Sequence, residues 1–85
     1  MKYRYHLEAL EEFEEATRFY QDKAGLGHKF SKAIKAGIQR ITENPLTWPI
    51  VEEGVRRYVV NRFPYCIYST LEGQAIIILA IFHTK

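Results

Sequence analysis

The eight residues AIIILAIF, at positions 75–82, form the longest apolar run of the chain and constrain its fold more than any other feature. The run is far shorter than the roughly 20 residues that a membrane-spanning helix requires. Because the run does not alternate with polar residues, we expect it to form the central strand of a sheet, covered on both faces.

Three other segments have strand patterns. Residues 2–7 alternate and are rich in tyrosine, and residues 55–61 are interpreted as a strand whose side chains alternate between the two faces. Residues 65–70 are β-branched and aromatic, and a tight turn at Gly73 joins them to the apolar run. The last three strands should therefore form an antiparallel meander, with residues 46–54 as a loop before it.

The segment between the first strand and this loop has the period of two amphipathic helices instead. Apolar residues recur every three or four positions from Glu8 to a stop at Gly25, and again from His28 to Glu43. The first helix is acidic on its outer face, and the lysines of the second helix indicate a solvated basic face. The order β-α-α-β-β-β predicts an α+β fold in which a helical hairpin packs on an antiparallel sheet.

Length and composition limit the class of protein. A chain of 85 residues accommodates one domain, residues 1–85, and its net charge of +2 is only a weak indication of a nucleic-acid or membrane partner. The single cysteine, Cys66, excludes an intramolecular disulfide and a cysteine-based zinc site. The N-terminus lacks the apolar run of a signal peptide. We therefore expect a cytoplasmic protein that needs no metal or cofactor and does not bind membranes.

The order of elements and several segments resemble the RelE/ParE superfamily of bacterial toxins. The segments are LEALEEFEEATRFY, a second helix ending in ITENP, then VRR, RFPYCIY and ILAIFHTK. No single motif is specific, but their combination covers nearly the whole chain. The resemblance implies the toxin of a type II toxin–antitoxin pair, of the kind also called plasmid stabilisation proteins. Such a toxin inhibits growth, is neutralised by a cognate antitoxin and oligomerises through it.

The superfamily has two activities: RelE-like members cleave messenger RNA on the ribosome without a metal, and ParE-like members poison DNA gyrase. RNA cleavage requires a general base, a general acid and cations around the phosphate. The resemblance places Cys66 where the RNA-cleaving members carry an arginine, and Val59 where they carry another cation. The ParE-like branch is therefore favoured, with DNA gyrase as the target.

Two alternatives stay open. One is a RelE-like, ribosome-dependent mRNA endonuclease, for which the candidate catalytic residues are Arg57, Arg62 and His83. The other is an inactive relative that only binds its antitoxin. An ordinary structural role is the competing interpretation for these residues. For His83, an isolated histidine at a strand end is usually a surface or capping residue.

The candidate partner-binding residues are Arg56, Arg57, Tyr58, Arg62 and Trp48. Arginine suits the recognition of phosphate and carboxylate groups. Because side chains alternate along a strand, Arg56 and Arg57 should point to opposite faces of the sheet. Trp48 and Tyr58 equally suit packing roles, with Trp48 covering one end of the core.

The antitoxin is expected to cover an apolar patch of the sheet. For the free toxin, this predicts a strand face on which Val55, Val59 or Ile67 is partly exposed. Cys66 is expected to be buried and chemically inert, since no basic residue or helix N-terminus is placed to lower its pKa.

Overall fold

In the computed structural model, which describes residues 1–84, a helical hairpin packs on one face of a five-stranded sheet. The elements in chain order are β1 Lys2–Tyr5, α1 Leu7–Ala24, α2 Gly27–Glu43, β2 Ile50–Glu52, β3 Val55–Val59, β4 Tyr65–Glu72 and β5 Ala75–His83. The predicted α+β fold is confirmed, and so is the antiparallel meander of β3, β4 and β5. Lys85, the last residue of the segment ILAIFHTK, lies outside the described residues.

The sheet is mixed rather than wholly antiparallel. Its strand order is β1-β5-β4-β3-β2, and β1 runs parallel to β5 with Tyr3 beside Ile76 and Tyr5 beside Ile78. The helical hairpin carries the chain from β1 to the meander on one side of the sheet. This crossover allows the first strand to join the last one in parallel.

The predicted loop at residues 46–54 contains a short strand that the sequence pattern did not indicate. Ile50 pairs with Arg56, and the Arg57 N–H donates to the Pro49 carbonyl at 3.0 Å. Gly54 has φ 73° in the connecting turn. Three residues are too few to show a period of two, so only the hairpin geometry reveals this edge strand.

The apolar run forms β5, which is an inner strand but not the central one. The central position belongs to β4, and the helices cover only one face of the sheet. On that face, Ile76, Ile78 and Ile81 are buried. On the opposite face Ile77 is also buried, but Phe82 is 50% exposed. The expectation of a strand covered on both faces is therefore wrong, because within residues 1–84 no second layer packs against the other side.

The helices end and pack as the sequence predicts, with boundaries shifted by one residue. Gly25 terminates α1 in the left-handed conformation, with φ 66°. The α1–α2 hairpin contributes Ala9, Phe13, Ala16, Phe30, Ile34, Ile38 and Ile41 to the core. Gly37 brings α2 close to the sheet, because a Cβ there would lie 2.7 Å from the Tyr58 ring.

Helix α1 also protects a part of β5 that β1 does not reach. β1 pairs with β5 only as far as Ile78, and beyond it the Ile81 N–H donates to Glu12 Oε1 at 2.8 Å. A side chain of the helix thus replaces a neighbouring strand at this edge. Unpaired backbone N–H and C=O groups at a sheet edge can pair with other chains. The Glu12 carboxylate prevents this for the Ile81 N–H by accepting its hydrogen bond.

We expect Glu12→Ala to lower the free energy of unfolding by about 1.5–3 kcal/mol, because the Ile81 N–H loses an acceptor that carries charge. Glu12→Gln is the matched control, since its amide oxygen can still accept the bond, and its loss should be smaller. Urea denaturation of both variants measures the difference. Equal stability of Glu12→Ala and the wild type would contradict the assigned role.

Candidate functional site

The three candidate catalytic residues lie at separate places. Arg57 is paired with Tyr68 across β3 and β4, and His83 is paired with Tyr65 across β4 and β5. Because Tyr65 and Tyr68 are three residues apart on one strand, their side chains point to opposite faces. Arg57 and His83 therefore lie on opposite faces of the sheet. The His83 ring contacts the Tyr65 ring, with the two centroids 5.2 Å apart.

Arg57 lies on the sheet face turned away from the helices, which we call the open face. On β3, β4 and β5 this face also includes Val59, Cys66, Tyr68 and Phe82. Val59 is 63% exposed, and the Phe82 ring lies 5.8 Å from that of Tyr68. The open face thus presents Arg57 among apolar and aromatic side chains.

Cys66 lies in this surface between Val59 and Phe82 and is buried beneath its neighbours. Burial raises the pKa of the Cys66 thiol, and the positive charge of Arg57 opposes that shift only partly. The thiol is thus predominantly protonated near neutral pH, which makes it a weak nucleophile. The prediction that Cys66 is buried is confirmed.

Arg56 points to the other face, as the alternation predicts, and holds the loop that precedes β2. Its guanidinium donates to the Leu46 carbonyl at 3.0 Å and to the Trp48 carbonyl at 2.8 Å. These contacts tie the Arg56 side chain to the backbone of the loop. The structure therefore gives Arg56 a supporting function for the Trp48 loop.

Trp48 and Tyr58 form an aromatic pair between this loop and α2. Their rings meet edge to face with centroids 4.8 Å apart, and Tyr58 is only 8% exposed. Tyr58 also lies close to Gly37 of α2, where an added Cβ would be 2.7 Å from its Cε2 atom. Both aromatic residues thus have a packing role, and Trp48 alone remains partly accessible.

Arg62 lies in the turn between β3 and β4, with the positive φ of 76°. It is exposed and borders a broad groove between α2 and the β3 strand, which we call the α2–β3 groove. Helix α2 adds Lys29, Lys32 and Arg40 to the same groove. Within residues 1–84 no acidic side chain lines it.

The sequence pattern did not indicate this groove. The sequence predicts a solvated face for the lysines of α2, and it does not connect them with Arg62. The available signal was the spacing of Lys29, Lys32 and Arg40, which places them on one side of a helix. That spacing does not reveal which structural element faces them.

The apolar patch expected for the antitoxin is partly correct. Val59 is exposed and Val55 is half-buried, but Ile67 is fully buried under the helices. Ile67 pairs with Tyr58 and Ile81, which are core residues, so its inclusion in an exposed patch was wrong.

Two other features are absent from the described part of the chain. Residues 1–84 contain no cluster of three or more His, Cys, Asp and Glu side chains that could hold a metal ion. None of the helices in that range combines the length and apolar character needed to cross a membrane.

Comparisons with known proteins are consistent with this architecture. The family model described as "ParE toxin of type II toxin-antitoxin system, parDE" matches residues 3–85. A solved structure described as "Chromosomal ParDE TA system from P. aeruginosa" superposes with a TM-score of 0.75 at 20% sequence identity, covering 100% of this chain and 97% of that one. No curated protein sequence matches the chain. The family match spans nearly the whole chain, and the protein therefore belongs to the ParE toxin family of type II toxin–antitoxin systems.

Proposed function

We propose that this toxin acts in the cytoplasm by binding DNA gyrase through its open face, without covalent chemistry of its own, and that a cognate antitoxin neutralises it. The observation that carries the proposal is the composition of the open face. Arg57 is surrounded there by Val59, Phe82 and the buried thiol of Cys66. Rigid apolar surface around Arg57 suits recognition of a protein.

The same surface is poorly suited to RNA cleavage. A phosphoryl transition state needs several preorganised cations together with a general acid and a general base. On the open face a protonated thiol and a valine lie beside Arg57, and His83 points to the opposite face. These positions favour a toxin that inhibits its target by binding.

The proposal is tested by a supercoiling assay with purified gyrase, relaxed plasmid and ATP. We expect the toxin to inhibit supercoiling at micromolar concentrations and to lose this effect when its antitoxin is added. Toeprinting on translating ribosomes is the counter-measurement. Cleavage in the ribosomal A site without gyrase inhibition would assign the chain to the mRNA endonucleases instead, and the absence of both effects would indicate an antitoxin-binding relative without activity.

A further inference from the structure

A small pocket lies on the side of the sheet that carries the helices, close to the point where α2 ends. Its volume is about 170 Å³, which suits a small molecule or the end of a larger one rather than a drug-sized ligand. Three parts of the chain form it: the residues after α2, the β2–β3 hairpin, and the paired strands β4 and β5. We call it the Arg56 pocket, and its lining includes Leu46, Ile50, Arg56, Ser69, Leu71 and Ile76.

The walls of the Arg56 pocket are largely apolar and accessible. Leu46 and Ile50 are 64% and 60% exposed, and Leu71 is 40% exposed. Leu71 pairs with the buried Ile76 across β4 and β5, whereas Leu46 and Ile50 come from the loop and from β2. Large apolar side chains from separate segments that stay exposed around one cavity are typical of a binding site.

Arg56 supplies the positive charge of the pocket. Its Nη1 atom donates to the Leu46 and Trp48 carbonyls at 3.0 and 2.8 Å, and these two bonds hold the planar guanidinium in one orientation. Its Nε and Nη2 atoms make no hydrogen bond to residues 1–84, and no carboxylate in that range forms an ion pair with the group. Because the side chain is half-buried, its charge is partly removed from water without a counter-charge from this part of the chain. A bound anion would supply that charge.

The surroundings of Arg56 favour a carboxylate over a phosphate. The N–H groups of Nε and Nη2 lie along one edge of a guanidinium, and such an edge binds both oxygens of a carboxylate side by side. Ser69 is paired with Arg56 across β3 and β4 and adds a hydroxyl donor on the same face. A phosphate is usually held by several cations or backbone N–H groups. Among residues 1–84, Arg56 is the one cationic side chain that lines this pocket, and most of the other walls are apolar.

We propose that the Arg56 pocket binds a carboxylate attached to a short, branched apolar chain, as in a free aliphatic acid or the C-terminal residue of a peptide. The carboxylate pairs with Nε and Nη2 of Arg56, and the apolar chain lies against Leu46, Ile50 and Leu71. The site is separate from the open face, because Arg56 and Arg57 point to opposite sides of the sheet. The inference therefore goes beyond the proposed function and does not depend on a gyrase or antitoxin complex.

Isovalerate is the probe for a free acid, and isovaleramide is its neutral control of the same shape. In ¹⁵N-labelled free toxin followed by NMR, we expect isovalerate to shift the amide resonances of Leu46, Ile50 and Leu71 with a Kd of about 1 mM, as suits a ligand of this size. Isovaleramide should bind at least about tenfold more weakly. Equal binding of acid and amide, or no shift at these residues, would overturn the proposal. Equally tight binding of inorganic phosphate would overturn the assignment to carboxylates.

N-acetyl-L-leucine is the probe for a peptide C-terminus, because it carries an isobutyl group, a free carboxylate and one preceding amide. Its neutral control is N-acetyl-L-leucinamide. Tighter binding of N-acetyl-L-leucine than of isovalerate would identify a C-terminal residue as the ligand, and equal or weaker binding would identify a free acid. Both results keep the carboxylate site, and failure of both acids to bind would remove it.

A pair of substitutions at Arg56 and Arg18 separates the local charge from the net charge. Arg56→Gln removes the cation but keeps an amide donor for the loop carbonyls, and it should weaken isovalerate binding at least about tenfold. Arg18→Gln makes the same change at an exposed position of α1 and should bind isovalerate like the wild type. Equal losses in the two variants, with unchanged circular dichroism, would reduce the effect to net charge and overturn the site.

A second pair, at Leu71, decides the question even if Arg56→Gln does not fold. Leu71→Glu places a negative charge on an exposed wall of the pocket and should weaken isovalerate binding at least about tenfold relative to Leu71→Gln, which has a side chain of the same length without the charge. Both substitutions lie at an accessible strand position, so the fold should tolerate them equally. Equal affinity of Leu71→Glu and Leu71→Gln for isovalerate would show that no carboxylate binds beside this wall, and the proposal would be wrong.

Discussion

Replacing Gly37 by alanine is expected to destabilise the protein by about 1–3 kcal/mol, although alanine is the better helix former. A Cβ atom at this position would lie 2.7 Å from Tyr58 Cε2 and 3.0 Å from Ile67 Cδ1. The Tyr58 ring is confined on another side by Trp48, so it cannot move away freely. Helix α2 would have to separate from β3 and β4, which would expose part of the core.

A double-mutant cycle with Tyr58→Leu isolates the contact. If the loss arises from the close approach to the tyrosine ring, Gly37→Ala should be less destabilising in the Tyr58→Leu background than in the wild type. In each background, the stability of the Gly37→Ala variant is compared with that of its parent by urea denaturation, monitored by circular dichroism. An increase in stability for Gly37→Ala in the wild-type background would show that helix propensity dominates at this position.

Replacing Arg57 by alanine is expected to reduce toxicity and gyrase inhibition by about tenfold or more, a loss typical of an arginine at the centre of an interface. Arg57 is held on a regular strand of the open face, whose other members are largely apolar. Its side chain is exposed, so the substitution should change the stability of the fold by no more than about 0.5 kcal/mol. A loss of activity would therefore report on binding and not on folding.

Arg4→Ala is the matched control for Arg57→Ala. Arg4 is paired with Ile77 on the same face, but its guanidinium is engaged by Glu72 at 2.8 Å. Colony survival after induction, with soluble protein levels matched, should rise for Arg57→Ala and remain at the wild-type level for Arg4→Ala. Unchanged killing by Arg57→Ala would remove the open face from the proposed site.

Much of the fold is readable from local patterns in the sequence. The change from a period of two to a period near 3.6 after residue 7 separates β1 from α1, and Gly25 marks the end of that helix. The alternation of Arg56 and Arg57 also placed their side chains on opposite faces correctly. Such features depend on residues only a few positions apart, so their pattern is visible in the sequence itself.

The site is less readable, because its parts come from distant segments. The cations of α2 were predicted to be a solvated face, and only the packing of α2 beside β3 brings Lys32 and Arg40 to the same groove as Arg62. Likewise, the lack of alternation in AIIILAIF indicated two covered faces, while Phe82 in fact lies exposed on the open face. A run of apolar residues indicates that a segment tends to be buried. It does not indicate which of its faces the rest of the chain covers.

The sequence by itself determined the identity and order of the main elements, the helical hairpin, the three-stranded meander and the resemblance to the toxin superfamily. Only the tertiary structure decided the parallel pairing of β1 with β5, the short edge strand β2 and the Glu12–Ile81 contact. The physical reason is the range of the interactions. Helix periodicity, capping and turns arise between near neighbours, whereas strand order and uncovered edges depend on which distant segments compete for the same backbone hydrogen bonds.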